Sequence, residues 1–208
     1  MTGRRSQRGV ALVEAAIVIT LLLLLAFGAA EIGLLWRDTN RIEHGVQAAG
    51  RVGSNEANRR LADYQLLRSL DSSLQGLTGG EVERVVVFKA TGSNGDVPPA
   101  CLSLNVASSP TTAHGVTNTC NVYSRQQLEN AAQSDFGLDD DLDCQSGDWD
   151  QSFCPTARLR GSGNATYLGV FVRTIYTPIT SVLAGDVTID RSAIYRLEPC
   201  VPALESCT

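Results

Sequence analysis

An acid sits inside the most apolar part of this 208-residue chain, at a spacing from a glycine that gives it a use. Glu14 follows Val10-Ala-Leu-Val and precedes Ala-Ala-Ile-Val-Ile-Thr20 and a run of leucines. From Ala15 to Ala30 there is no charge, and the 22 residues from Ala15 to Trp36 form a helix about 33 Å long, which matches a bilayer core of about 30 Å. A carboxylate in such a segment costs about 2.5 kcal/mol or more to insert, so it is expected to have a partner. Gly9 precedes Val10, and a cut between them would leave the new α-ammonium of Val10 one helical turn from Glu14. In a bundle of such helices the amine of one subunit neutralises the Glu14 of a neighbour, so that neither charge is buried alone. The plainer alternative, an acid snorkelling from a helix end, does not account for Gly9, the offset and the flanking arginines occurring together. Glu31, near the other membrane face, reads as a snorkelling acid. Ala29 and Gly33 make a small-xxx-small pair that lets two helices approach closely.

Elsewhere no catalytic constellation converges, and the chain reads as non-enzymatic. His114 lies in a Pro-Thr-Thr-Ala-His-Gly loop and His44 on a juxtamembrane helix; no Gly-x-Ser-x-Gly elbow or phosphate loop is present. Asp139, Asp140, Asp141 and Asp143, with Asp148 and Asp150 nearby, could gather oxygen ligands, but they lack the spacing of a calcium loop and read as a solvated acidic stretch. Asn164-Ala-Thr166 matches a glycosylation acceptor that matters only in a eukaryotic secretory pathway. Six cysteines, Cys101, Cys120, Cys144, Cys154, Cys200 and Cys207, all lie beyond the apolar segment. An even number in an exported domain points to disulfides. Many pairings are open; neighbours in sequence (Cys101–Cys120, Cys144–Cys154, Cys200–Cys207) are the preferred set. Zinc is disfavoured, because there is no Cys-x-x-Cys pair and neither histidine is spaced as a ligand partner. No metal or other cofactor is expected.

The elements that hold these residues can be read from periodicity. Residues 1–9 form a basic leader and 10–36 the membrane helix, with Trp36 as an interfacial aromatic. A helical stalk spans 37–75, broken at Gly53-Ser-Asn, where Ser54 or Asn55 caps a second helix from Glu56 to about Gln75. That second helix places Leu61, Tyr64, Leu67, Leu70 and Leu74 on one stripe. Strands are expected over Glu81–Ala90, Tyr167–Tyr176 and Val187–Leu197. Between the first two lies an insertion, 92–163, rich in Gly, Ser, Asn and Asp and carrying four of the cysteines; a loop of that length carries function or flexibility. Within it Ser124 and Gln127 cap a short helix through Ala132. The fold class is α+β: a long N-terminal helix packed on a small antiparallel sheet, with 81–208 as the globular domain.

The net charge is −5 at pH 7, and loss of Arg4, Arg5 and Arg8 with the leader would make the remainder more acidic. That balance argues against sequence-independent binding of nucleic acid. The same three arginines orient the helix with its N-terminus in the cytoplasm and the domain outside.

Arg8-Gly9-Val-Ala-Leu-Val-Glu14-Ala-Ala-Ile-Val, followed by a long apolar helix and Gly28-Ala-Ala-Glu31-Ile-Gly33, resembles the class IV prepilins, specifically the TadE-like minor pseudopilins of tight-adherence (Flp-type) pilus systems. Tyr176-Thr-Pro178 and the strand ending Tyr195-Arg196-Leu-Glu198 look like the terminal hairpin of that family. Thr20 is a departure, since many relatives carry proline there. The resemblance implies a pilin-like fold, cleavage by a prepilin peptidase and a place in a pilus tip or priming complex that supports adhesion or secretion. Its implied partners are other minor pseudopilins, the major Flp-type pilin, and an inner-membrane platform with its ATPase. The implied location is the bacterial inner membrane with a periplasmic domain, then the pilus. Two alternatives stand beside it. One is an exported binding protein cut at Gly28-Ala29-Ala30 by ordinary signal peptidase. The other is an anchored adhesin or receptor ectodomain.

Overall fold

A single helix, α1, runs from Gly3 to Glu56, 54 residues, so it is about 80 Å long. The computed structural model describes residues 3–56, 58–107, 109, 111–137, 144–159, 165–180 and 185–197. The expected break at Gly53 is absent. A Cβ on Gly53 would lie 2.7 Å from both Leu168 and Leu66, so the glycine permits close packing rather than ending the helix. Ser54 caps nothing: its hydroxyl donates to the carbonyl of Arg196 at 2.7 Å. The chain reverses after Glu56 through tight turns (Arg59 N–H to Glu56 O, 2.8 Å; Ala62 N–H to Arg59 O, 3.0 Å). The second helix, α2, therefore starts later than the periodicity implies, at Ala62, and ends at Leu74. Its buried stripe is Leu66, Leu67, Leu70 and Leu74, with Leu61 and Tyr64 at the margin. Truncating any of the fully buried leucines to Ala would cost about 2–5 kcal/mol.

The sheet holds five strands: β1 (Gly80–Ala90), β2 (His114–Val116), β3 (Cys120–Ser124), β4 (Tyr167–Tyr176) and β5 (Val187–Arg196). Its order is β2-β3-β1-β4-β5, antiparallel throughout, with β1 in the centre. The central position explains the unbroken Val85-Val86-Val87-Phe88, because a strand covered on both faces needs no polar alternation. Val85 and Val87 face α1 and α2, packing with Ile42, Val46 and Leu70. Val86 and Phe88 face the other way, under Cys101 of the short helix α3 (Pro99–Leu102) and Val106. A disulfide from Cys101 to Cys120 joins α3 to β3, and a second links Cys144 to Cys154. Cys200 and Cys207 lie outside the described residues, as do Asp139–Asp143 and Asn164. The Ser124–Gln127 capping box is present and opens α4, Arg125–Asn130.

The insertion is held down by buried polar groups. Asp63 of α2 places Oδ1 2.7 Å from Nη1 of Arg158, with both side chains fully buried. Its Oδ2 accepts from Asn121 Nδ2 (2.9 Å) and from the Tyr123 hydroxyl (2.8 Å). Asn121 binds Phe153 twice, donating to its carbonyl at 3.0 Å and accepting its N–H at 2.7 Å. Arg158 donates to the same carbonyl and lies 4.4 Å from the centre of the Phe153 ring. Beside this network Asp150 is fully buried, and neither of its carboxylate oxygens has a hydrogen-bond partner among the described residues.

Burial first, and then the charge of Asp63, push the Asp150 carboxyl up to about 7, against the opposing pull of Arg158. An unfolded aspartate titrates near 3.9, so the folded state holds this proton more tightly. The resulting stability is complete below about pH 4 and is lost as pH rises to about 7. In detergent micelles the urea midpoint of the native chain, measured against that of Asp150→Asn, should therefore decline across that window. A difference that does not vary with pH would rule out Asp150 as the proton-holding group.

Candidate functional site

The N-terminal part of α1 stands clear of the rest of the chain. Its large apolar side chains from Val10 to Phe27 are all half or more exposed; Leu12 reaches 72% and Leu25 63%. No part of its most apolar window is buried, so this surface must be covered by something other than the domain. The helix passes without interruption across Gly9–Val10. At Thr20 it is unbroken too, and the hydroxyl donates to the carbonyl of Ala16 at 2.8 Å. Glu14 is exposed, one turn beyond Val10, and makes no hydrogen bond or ion pair among the described residues.

The domain docks where this exposed stretch ends, through two acids seven residues apart on one face of α1. Glu31 is fully buried. Its Oε1 accepts from the Tyr176 hydroxyl (2.6 Å) and the Ile179 N–H (3.0 Å), and its Oε2 accepts from the Thr180 N–H (2.8 Å). The snorkelling expected of Glu31 is thus wrong: the β4–β5 connection covers the carboxylate and supplies its donors. Two turns on, Asp38 is also fully buried, and its Oδ2 accepts from the N–H groups of Thr78 (2.8 Å) and Gly79 (3.0 Å). The two loops are tied to each other by Thr177 N–H to Gly79 O at 2.9 Å. Gly79 must be glycine, because a Cβ there would lie 2.9 Å from the Thr177 carbonyl oxygen and 2.8 Å from the Tyr176 ring. One turn further, Arg41 donates to the Gly76 carbonyl at 2.6 Å. Burial, and next the bond to Glu31, push the Tyr176 hydroxyl up to about 12, so it remains a donor.

Ala29 and Gly33 flank Glu31 by two residues each, about 160° around the helix from it. Both are exposed, and nothing lies within 4 Å of a Cβ built on Gly33. The small-residue face therefore points away from the chain's own domain, open to a second helix. Among the described residues no group of three or more His, Cys, Asp or Glu side chains is placed to hold a metal ion.

The arrangement is an apolar helix presented for burial and hydrogen-bonded to a folded domain at one end. Comparison with known families agrees with that reading: the family model described as TadE-like protein matches residues 9–51. The matched segment contains Gly9, Val10, Glu14, Ala29 and Gly33, together with Glu31 and Asp38 of the clamp. Over this stretch the chain is similar to TadE-like proteins, which supports a protein associated with Tad pilus systems and anchored in a membrane. That family is a pilus component rather than an enzyme family. No curated protein and no solved structure matches the chain.

Periodicity places Tyr176 at the end of a strand but shows neither its bond to Glu31 nor the part played by Asp38 and the two loops. The available signal was the seven-residue spacing that puts Glu31 and Asp38 on the stripe continued by Ile42, Gly45, Val46 and Ala49. Removing the Asp38 carboxylate leaves two loop N–H groups without their acceptor, so Asp38→Ala should cost about 1–3 kcal/mol in urea unfolding. Glu31→Ala should instead speed amide exchange at Ile179 and Thr180; unchanged exchange there would show that the loop does not depend on the acid.

Proposed function

We propose that the chain is a minor pilin-like subunit that assembles through its N-terminal helix into a Tad-type pilus. The observation that carries this reading is the exposed apolar helix with Glu14 one turn beyond Val10, inside the segment that matches TadE-like proteins. The helix is inserted in the inner membrane with its arginine-bearing end in the cytoplasm and the domain in the periplasm. A prepilin peptidase cuts after Gly9. The freed Val10 ammonium then meets the Glu14 of a neighbouring subunit, which removes the cost of burying either charge alone. Ala29 and Gly33 let the helices approach on the face turned away from the domain.

A domain of this size does not repeat easily along a thin shaft, which favours a tip or priming role beside other minor pseudopilins and the major Flp-type pilin. The membrane platform and its ATPase would supply the extraction. Cysteine pairing within the domain suits an oxidising compartment.

N-terminal sequencing of the native protein should give Val10; Glu31 or an uncut N-terminus would instead indicate a secreted or permanently anchored ectodomain. Gly9→Leu should leave a longer precursor detectable by mass. Glu14→Ala should be cleaved and inserted normally yet be absent from sheared filaments; its normal incorporation would end the pairing mechanism.

A further inference from the structure

Glu31 marks the level at which the hydrocarbon should end. From Val10 to Ala30 the helix rises about 30 Å, the thickness of a bilayer core, and the next residue is already covered by the β4–β5 connection. Beyond Phe27 the exposed large apolar side chains among the described residues are Ile32, Trp36, Leu159 and Ile179. Three of them stand at this level. Ile32 is next to Glu31, Trp36 is one turn above Ile32 on the same face, and the Ile179 amide itself bonds to Glu31.

The backbone of Thr177–Thr180 has a second property that suits a lipid boundary. The Thr177 N–H is taken by the Gly79 carbonyl, Pro178 has none, and the N–H groups of Ile179 and Thr180 are both taken by Glu31. A non-helical segment whose backbone N–H groups are all paired can approach hydrocarbon without the several kcal/mol that an unmet N–H costs there. The exposed Arg37 beside this level suits lipid phosphates, and Trp36 suits the headgroup zone.

We propose that Thr177–Thr180 is a membrane-surface contact. It seats Ile179, with Ile32 and Trp36, in the headgroup–acyl boundary of the leaflet nearer the domain. By resting there the clamped loop fixes how deep α1 sits, and so the depth of Glu14 near the opposite face. This rests on α1 crossing the membrane, and the test separates the two claims.

Phe27, Ile179 and Leu159 are each replaced in turn by a diazirine-bearing aliphatic residue in the full chain. Leu159 serves as the remote site, because it pairs with Thr166, at the far end of β4 from Tyr176. Each protein is reconstituted in vesicles of phosphatidylethanolamine and phosphatidylglycerol, irradiated and weighed by mass spectrometry. Phospholipid adducts at positions 27 and 179, several-fold above position 159, are expected. An adduct at 27 with only water or a second protein captured at 179 overturns the surface contact and leaves the membrane helix standing. No lipid adduct at 27 overturns both.

Discussion

A buried carboxylate needs donors, and three of the four carboxylate oxygens that Glu31 and Asp38 bury on α1 find them in two loops and the Tyr176 hydroxyl. Glu31 takes the β4–β5 connection and Asp38 the turn before β1, while Thr177 and Gly79 join those loops to each other. Charge-assisted bonds of this kind are stronger than neutral ones and are lost together if the loops move. The helix and the Tyr176 end of β4 are therefore joined through both loops at once.

Two other acids bracket the meaning of that clamp. Glu14 lies on the same helix but beyond the reach of the domain, with no donor of its own among the described residues. Glu31 is answered within the chain, whereas Glu14 is exposed and has no partner among the described residues. Asp150 is a third case: it is buried beside Asp63 and Arg158, its carboxylate oxygens have no hydrogen-bond partner among the described residues, and burial pushes its carboxyl up to about 7. For the two buried acids of this comparison, Glu31 and Asp150, burial thus has two outcomes, set by which donors the fold brings within about 3 Å.

Much of the scaffold was legible because its signals are local. Helix periodicity marked α2, and β-branched runs marked β1, β4 and β5. Ser124 and Gln127 marked α4 through a four-residue pattern. The strands β2 and β3 were not legible, because His114–Val116 and Cys120–Ser124 are short and polar. They are strands by virtue of pairing with β1 and with each other, and of a disulfide to α3. Gly53 misled for a related reason: a glycine that permits a close approach and one that ends a helix look alike until the neighbour is known. The insertion was expected to carry function or flexibility for its length and composition, whereas Asn121 and Arg158 both bond the backbone of Phe153 and Asp63 holds Asn121 and Arg158 in turn, across long stretches of chain.

The apolar helix, the spacing of Gly9, Val10 and Glu14 and the α+β class were determined by the sequence alone, because each depends on residues within a turn or two of one another. The fate of Glu31 was decided only in three dimensions. From its neighbours it is an acid near a membrane end, free to reach water. Its donors come from residues near 176–180, some 145 positions away, and no local pattern can specify an interaction whose two halves meet only after the sheet has formed.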